Sequence, residues 1–136
     1  MRKPLPRFLN LLTTIHAIGA FSCFVMAMGS AASSGFREAL AVSGGSALMV
    51  DIFGRGTWAF LVFVGIILTT LAYASWRVYP WAWHLTLIVY GIGVVGSLWQ
   101  VSVGIKQGWV AAAVNGAVVA YVATPAVRRA YLGRGN

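Results

Sequence analysis

Two histidines are the residues best suited to chemistry in this chain, and each stands in or beside a long apolar stretch. An ionisable side chain inside an apolar span indicates function by default, and imidazole is a common axial ligand of haem iron. His16 lies about 12 Å along a helix that begins near Phe8, whereas His84 lies closer to the start of a later apolar stretch. Their depths therefore differ by roughly a turn and a half of helix.

The pattern leaves two interpretations of His16 open. In the first, His16 ligates a haem or a chlorin, and His84 is a conceivable second ligand. In the leading interpretation, which needs no cofactor, His16 is a neutral histidine that bonds to Thr13, to Asn115 or to a backbone carbonyl. His84 is then expected at the membrane surface, among the tryptophans that surround it in sequence.

The remaining residue types give no catalytic constellation. Cys23 is the only cysteine, so the chain has neither a Cys-x-x-Cys redox pair nor an internal disulfide. The two acidic residues, Glu38 and Asp51, lie between apolar stretches and have no histidine near them in sequence. No glycine-rich phosphate loop follows a strand pattern. We therefore predict that the protein is not an enzyme and holds no metal site.

Three amide side chains, Asn10, Gln100 and Asn115, fall inside the apolar stretches. Such groups in a membrane span usually hydrogen-bond across helices, and each bond contributes about 1 kcal/mol. We predict this packing role. The alternative is that Gln100 and Asn115 line a narrow polar path together with Tyr90, which would make the protein a small channel or transporter.

The composition indicates a membrane protein. Hydrophobic residues make up 60% of the 136 residues and charged residues only 9%, with a mean hydropathy of +0.82. A soluble domain carries about 25% charged residues and a disordered segment has few apolar ones, so both classes are excluded. The net charge of +8 comes mainly from basic residues near the two ends of the chain. We interpret that clustering as an orientation signal and predict no nucleic-acid partner.

Four apolar stretches are long enough to cross the roughly 30 Å hydrocarbon layer, which takes about 20 residues. They contain no Lys, Arg, Asp or Glu and cover residues 8–31, 57–76, 81–104 and 109–127. Because unbonded backbone groups are costly in lipid, each stretch is expected to form a helix. Short connections make the last three spans antiparallel neighbours. We therefore predict one all-α membrane domain over residues 1–136, an up-down four-helix bundle with one longer outer loop at 32–56.

Two segments allow a second interpretation. The first span has a basic start and ends in small residues at 29–32, which is typical of a cleaved signal peptide. Its apolar run of about 20 residues exceeds the usual length of about 7–15, so we favour an uncleaved anchor. In the outer loop, residues 36–42 follow a helix-start pattern and form either a short interfacial helix or an ordered loop.

Basic residues are unequally divided between the two sides of the predicted bundle. If both termini are cytoplasmic, that side holds Arg2, Lys3, Arg7, Arg77, Arg128, Arg129 and Arg134. The other side holds Arg37, Arg55 and Lys106. The positive-inside rule therefore predicts cytoplasmic termini. Aromatic residues are expected at both interfaces, with Trp76, Tyr79, Trp81, Trp83 and Tyr131 inside and Phe53, Trp58, Trp99 and Trp109 outside.

Each span also carries a stripe of small or polar residues at steps of three and four, which places each set on one helix face. Lipid gives no hydrophobic drive for helix association, so small residues supply close contact. We predict that these stripes pack one bundle. The first stripe contains His16, Ala20, Cys23 and Ala27, and the second contains Gly65. The third contains Gly93, Gly96, Ser97 and Gln100, and the fourth contains Ala112, Gly116 and Ala120.

The second half of the chain resembles a group of small bacterial four-helix membrane proteins of unknown function. The segment WRVYPWAW at 76–83 resembles their W-R-x-x-P-W-A turn. Residues 108–109 and 121–131, with Asn115 between them, resemble their tail pattern, G-W … N … Y-L-x-x-P-x-V-R-x-x-F. The resemblance covers residues 72–131 and implies a bacterial inner-membrane protein with this topology. It implies no catalytic residues.

The leading functional interpretation follows from the missing catalytic groups and the small mass outside the membrane. We expect a non-enzymatic inner-membrane protein whose partners are the lipid bilayer and other integral membrane proteins. An accessory subunit of a larger respiratory or photosynthetic complex fits this description best. A tetrapyrrole-binding protein using His16 and a small channel or transporter are the alternatives.

Overall fold

The computed structural model describes residues 7–42 and 47–133. Within these ranges the chain is all-α. The helices are α1 (Arg7–Ala32), α2 (Ser34–Val42), α3 (Ala47–Phe53), a 3-10 turn (Gly54–Gly56), α4 (Thr57–Arg77), α5 (Pro80–Ser102), α6 (Gly108–Ala123) and α7 (Pro125–Leu132). Three stretches are long and apolar enough to cross a membrane, Asn10–Ala32, Met49–Arg77 and Pro80–Ser102, and α6 with α7 forms a fourth if that bent pair counts as one span.

The first antiparallel pair consists of α1 and α4, which share the most extensive contact in the molecule. Gly65 on α4 is buried because the ring of Phe24 fills the space beside it, and a Cβ there would lie 2.9 Å from that ring. Likewise, a Cβ on Gly19 of α1 would lie 3.2 Å from the side chain of Leu68 on α4. Small residues on each helix thus accept large side chains from the other.

The second antiparallel pair consists of α5 and α6. At one end the backbone of Gly108 lies so close to α5 that a Cβ would stand 2.7 Å from the Ser97 carbonyl oxygen. Further along, the side chain of Asn115 fills the space beside Gly93. The pair is therefore closely packed at two points, and each point involves one of the predicted packing residues, Gly93 or Ser97.

Contact between the two pairs is far smaller than contact within them. It is concentrated near the α4–α5 turn, where buried residues of both pairs and of α7 form one apolar cluster. Only 17% of the most apolar stretch of α5 is buried, against 39% for that of α4. The structure thus shows two helix pairs joined at one end rather than four helices packed evenly around one axis.

The α4–α5 turn is built on Val78, whose φ of 55° places it in the left-handed region. The N–H of Tyr79 donates to the carbonyl of Ala74, and the N–H of Val78 donates to that of Ser75, which closes the end of α4. Glycine usually takes this position. Val78 is 5% exposed, so burial of its side chain offsets part of the backbone cost.

The fourth predicted span, 109–127, ends earlier than expected. Helix α6 ends at Ala123, Thr124 is extended with a ψ of 144°, and α7 departs at 61°. The cause is Pro125, which cannot donate to the carbonyl of Tyr121 and disfavours helical geometry at Thr124. The N–H and hydroxyl of Thr124 donate to that carbonyl instead.

The segment 32–56 contains helices α2 and α3 and the 3-10 turn rather than an irregular loop. Phe36 on α2 lies against Gly29, and the Arg37 guanidinium donates to the carbonyl of Ser30 near the end of α1. Arg37 therefore caps the α1 carbonyls, as a cation at a helix C-terminus is suited to do.

Three predicted packing positions on α5 and α6 differ from the structure. A Cβ on Gly96 or on Gly116 would meet no neighbouring atom within 4 Å, and Ala120 is exposed. The buried residues of α6 are instead Gly108, Val118 and Val122, while Ala112 is only partly covered. Because α6 is apolar on all sides, residue size alone does not identify the face that packs within this chain.

Candidate functional site: a buried polar cluster at His16

His16 lies where the two helix pairs meet. It is fully buried on α1, and its ring contacts the last turn of α4 and the first turns of α5. Its Nδ1 is 3.2 Å from the Ser75 hydroxyl, and its Nε2 is 3.5 Å from the Thr86 hydroxyl. The ring of Tyr90 is tilted against it, with the centroids 5.7 Å apart.

The hydrogen bonds define the tautomer of His16. The Thr86 hydroxyl donates its single proton to the Ala82 carbonyl at 2.7 Å, so it can only accept from the imidazole. Nε2 is therefore the protonated nitrogen of the neutral ring, and Nδ1 accepts a hydrogen bond from the Ser75 hydroxyl. A hydrogen-bond chain of fixed direction thus runs from Ser75 through His16 and Thr86 to the backbone of α5.

Tyr131 extends this cluster to α7. Its side chain is fully buried in the apolar cluster between the helix pairs. The Ser75 hydroxyl is its polar neighbour, at a geometry outside that of an ordinary hydrogen bond. Tyr131 was expected at the membrane interface, and its burial corrects that prediction. The reason is the 61° bend, which turns α7 back under the helix pairs.

The arrangement favours a structural role for the His16 ring. Both nitrogens are occupied by hydroxyl groups, and the chain supplies no carboxylate to the cluster, since Glu38 and Asp51 lie on α2 and α3. A haem iron or a chlorin magnesium would have to displace Ser75 or Thr86 to reach a ring nitrogen. What the cluster can do as it stands is link three helices by hydrogen bonds.

The sequence predicted a bonded His16 but not these partners. Asn115, one expected partner, donates from Nδ2 to the Ala111 carbonyl at 2.9 Å within α6. The missed residues are Ser75 and Thr86. They flank the short α4–α5 turn and so lie at similar depth, which is the signal that could have identified them.

The structure does not bring His84 to His16. His84 is exposed on α5, where its Nδ1–H donates to the Pro80 carbonyl at 3.3 Å and its ring stands edge-on to Trp83 at 4.8 Å. His84 thus contacts one of the tryptophans that surround it in sequence, and its place at the membrane surface stays a prediction.

Of the three amide side chains predicted inside the spans, two lie in the α5–α6 pair and one lies on α1. Gln100 is buried on α5, and Asn115 stands beside Gly93 in the α5–α6 interface. Asn10 is exposed, and its backbone carbonyl accepts a hydrogen bond from the Thr14 hydroxyl at 2.9 Å. Tyr90 faces His16 rather than the amides. Of the residues proposed for a polar path, Gln100 and Asn115 therefore lie in the α5–α6 pair, while the Tyr90 ring contacts His16 of the first pair.

A second set of contacts fixes the bend between α6 and α7, which we call the elbow (residues 123–128). The indole N–H of Trp83 donates to the Val122 carbonyl at 2.9 Å, and the guanidinium carbon of Arg128 lies 6.0 Å from the centre of the Trp83 ring. Trp83 is partly buried and braces the elbow, while its place in the interfacial belt of aromatics stays a prediction.

Within the described residues no three His, Cys, Asp or Glu side chains converge as metal ligands would. In comparisons with protein-family models, with curated proteins and with solved structures, nothing matched the chain.

Proposed function

We propose that the protein is a non-enzymatic, multi-pass membrane subunit that packs against another integral membrane protein through the outward face of α6. The observation that carries this proposal is the composition of that face. Ala113, Ala117 and Ala120 are exposed along it, and the adjacent Gly116 has open space beside it. The bulky exposed residues of α6 lie towards its first turns and at the edge of this face, and they are Trp109, Val110 and Val114. This chain therefore leaves uncovered the small residues that a helix seam requires.

The outward faces of α1 and α4 are built differently. They present bulky apolar side chains, among them Phe21 at 71% exposure, Met28 at 73% and Phe63 at 60%. Bulky side chains suit lipid tails, whereas alanine and glycine allow two helix backbones to approach closely. The contrast supports lipid contact for the first pair and protein contact for α6.

We further propose a bacterial inner membrane with both termini in the cytoplasm and four spans in up-down order, the elbow closing the fourth. Arg77, Arg128 and Arg129 lie towards one end of the helix pairs, and Arg37, Arg55 and Lys106 lie towards the other. The other four residues of the predicted cytoplasmic excess are Arg7, which begins α1, and Arg2, Lys3 and Arg134, which lie outside the described residues. The positive-inside rule supports this orientation.

Purification of the tagged protein in mild detergent tests the partner, with Ala117→Leu on the α6 face and Ala17→Leu as the control. Both substitutions add the same bulk to an exposed alanine of a spanning helix. We expect a stoichiometric membrane protein to accompany the wild type and the Ala17→Leu variant but not Ala117→Leu. Equal melting temperatures of the two purified variants would show that neither is misfolded. A chain that purifies alone, or a partner indifferent to Ala117→Leu, would contradict the proposal.

A further inference from the structure

A groove of about 430 Å³ opens on the outside of the elbow. Sites for small ligands usually measure about 300–1,000 Å³. Its lining combines two cationic side chains with an apolar wall and consists of Ala123, Pro125, Arg128, Arg129, Leu132 and Gly133.

The two guanidinium groups are held in place rather than extended freely. The Nε–H of Arg129 donates to the Pro125 carbonyl at 3.1 Å, which folds the side chain back along α7. Arg128 lies over the Trp83 ring, which is itself fixed by its bond to Val122. Ordered guanidinium groups lose less conformational freedom when they bind an anion.

The charge at the groove has no acidic side chain to balance it. The chain has two acidic residues, and both lie on α2 and α3, at the opposite end of the helix pairs. Guanidinium is well matched to phosphate oxygens, which it can bind by two parallel hydrogen bonds. The natural complement of the groove is therefore a phosphate group.

We propose that the groove binds the headgroup phosphate of an anionic phospholipid, with Arg128 and Arg129 as its ligands. A lipid fits better than a free phosphate because the groove lies at the end of α6, an apolar helix that packs along the membrane-length helix α5. Ala123 and Leu132 offer an apolar wall on which the glycerol and the first acyl carbons pack. The site is independent of the partner surface, since it uses neither Ala117 nor its neighbours on the α6 face.

The test uses the full chain in detergent and measures retained lipid by native mass spectrometry after addition of phosphatidylglycerol or phosphatidylcholine. The site variant is Arg128→Gln/Arg129→Gln, and the control Arg55→Gln/Lys106→Gln removes the same charge from exposed residues at the other end. We expect the site variant alone to lose affinity for phosphatidylglycerol by about tenfold or more. Because all four side chains are exposed, we expect both variants to fold, and melting without lipid measures how far loss of the Arg128–Trp83 contact lowers the stability of the site variant.

Melting in the presence of inorganic phosphate separates the two phosphate sources. We expect phosphatidylglycerol to stabilise the wild type and inorganic phosphate at equal concentration to have no effect. Equal retention of phosphatidylcholine, equal loss of affinity in both variants, or full stabilisation by inorganic phosphate would each overturn the assignment.

Discussion

Trp83 donates its indole N–H to the Val122 carbonyl, which lies 39 positions later in the chain and 2.9 Å away in space. In a continuous helix that carbonyl would accept the N–H of Ala126, but the extended backbone at Thr124 moves the next turn out of reach. Trp83 thus completes the end of α6 from a neighbouring helix. The same ring lies beneath Arg128, so one residue connects the α5–α6 pair to α7.

Trp83→Phe should destabilise the protein because it leaves a buried carbonyl without its donor. The expected loss is about 1–3 kcal/mol of unfolding free energy. Trp99→Phe is the matched control, since Trp99 is 60% exposed on the same helix. Melting in detergent measures both, and equal melting temperatures would show that the Trp83 bond contributes nothing.

Gly108→Ala should be far more damaging than Gly116→Ala, although both change α6 in the same way. A Cβ at Gly108 would collide with the rigid Ser97 carbonyl, whereas one at Gly116 meets nothing within 4 Å. We expect a loss of about 1–3 kcal/mol at Gly108 and a gain of about 0.5–1 kcal/mol at Gly116. A loss at Gly116 in the purified chain would mean that α6 is rotated relative to this structure.

The α1 stripe shows what spacing alone can predict. Ala20, Cys23 and Ala27 are buried with His16, as their steps of three and four residues indicate. The prediction succeeds there because the opposite face of α1 carries bulky residues such as Phe21 and Met28, so small size distinguishes one face. The lengths of the apolar stretches likewise correctly predicted an all-α chain with helices long enough to cross a membrane.

Other features depend on contacts that no local pattern contains. Helix α6 has small or β-branched residues on every side, so the Val118–Val122 face is selected only by the shape of α5. Ser75 and Thr86 become partners of His16 because the Val78 turn places two helices beside α1. Nothing in the sequence indicates that Val78 takes a left-handed backbone conformation. Nothing near Trp83 in sequence indicates that the end of α6 will accept its indole N–H.

Thr86→Val should destabilise the junction between the helix pairs. Valine has nearly the same shape, but it removes the oxygen that accepts from His16 and leaves a buried N–H unsatisfied, at a cost of about 1–3 kcal/mol. Thr70→Val is the control, because the exposed Thr70 hydroxyl only donates to the Ile66 carbonyl of its own helix. We expect the control to change stability by less than about 0.5 kcal/mol. Similar melting of the two variants would show that the His16 cluster does not stabilise the junction.

The tautomer of His16 can be measured directly by nitrogen NMR of the protein labelled at histidine. We expect a neutral ring protonated at Nε2, because the Thr86 hydroxyl donates its proton to the Ala82 carbonyl. Thr86→Val should shift the Nε2 resonance, while the signal of the exposed His84 stays unchanged. A ring protonated at Nδ1 would contradict the direction of the hydrogen bonds from Ser75 through His16 to Thr86.

The orientation is tested by labelling single cysteines from each side of the membrane in a Cys23→Ala background, which removes the buried native thiol. Cysteines at Arg55 and Lys106 should react with an impermeant reagent only from outside, and one at Arg77 only from the cytoplasm. The reason is that Arg77 lies at the end of α4 shared with the α4–α5 turn and the elbow, where the positive-inside rule places the excess of basic residues. Positions 55 and 77 lie at the two ends of α4. Labelling of cysteines at both positions from the same side would therefore show that α4 does not cross the membrane. Labelling of Arg77 from outside and Arg55 from within would invert the whole topology.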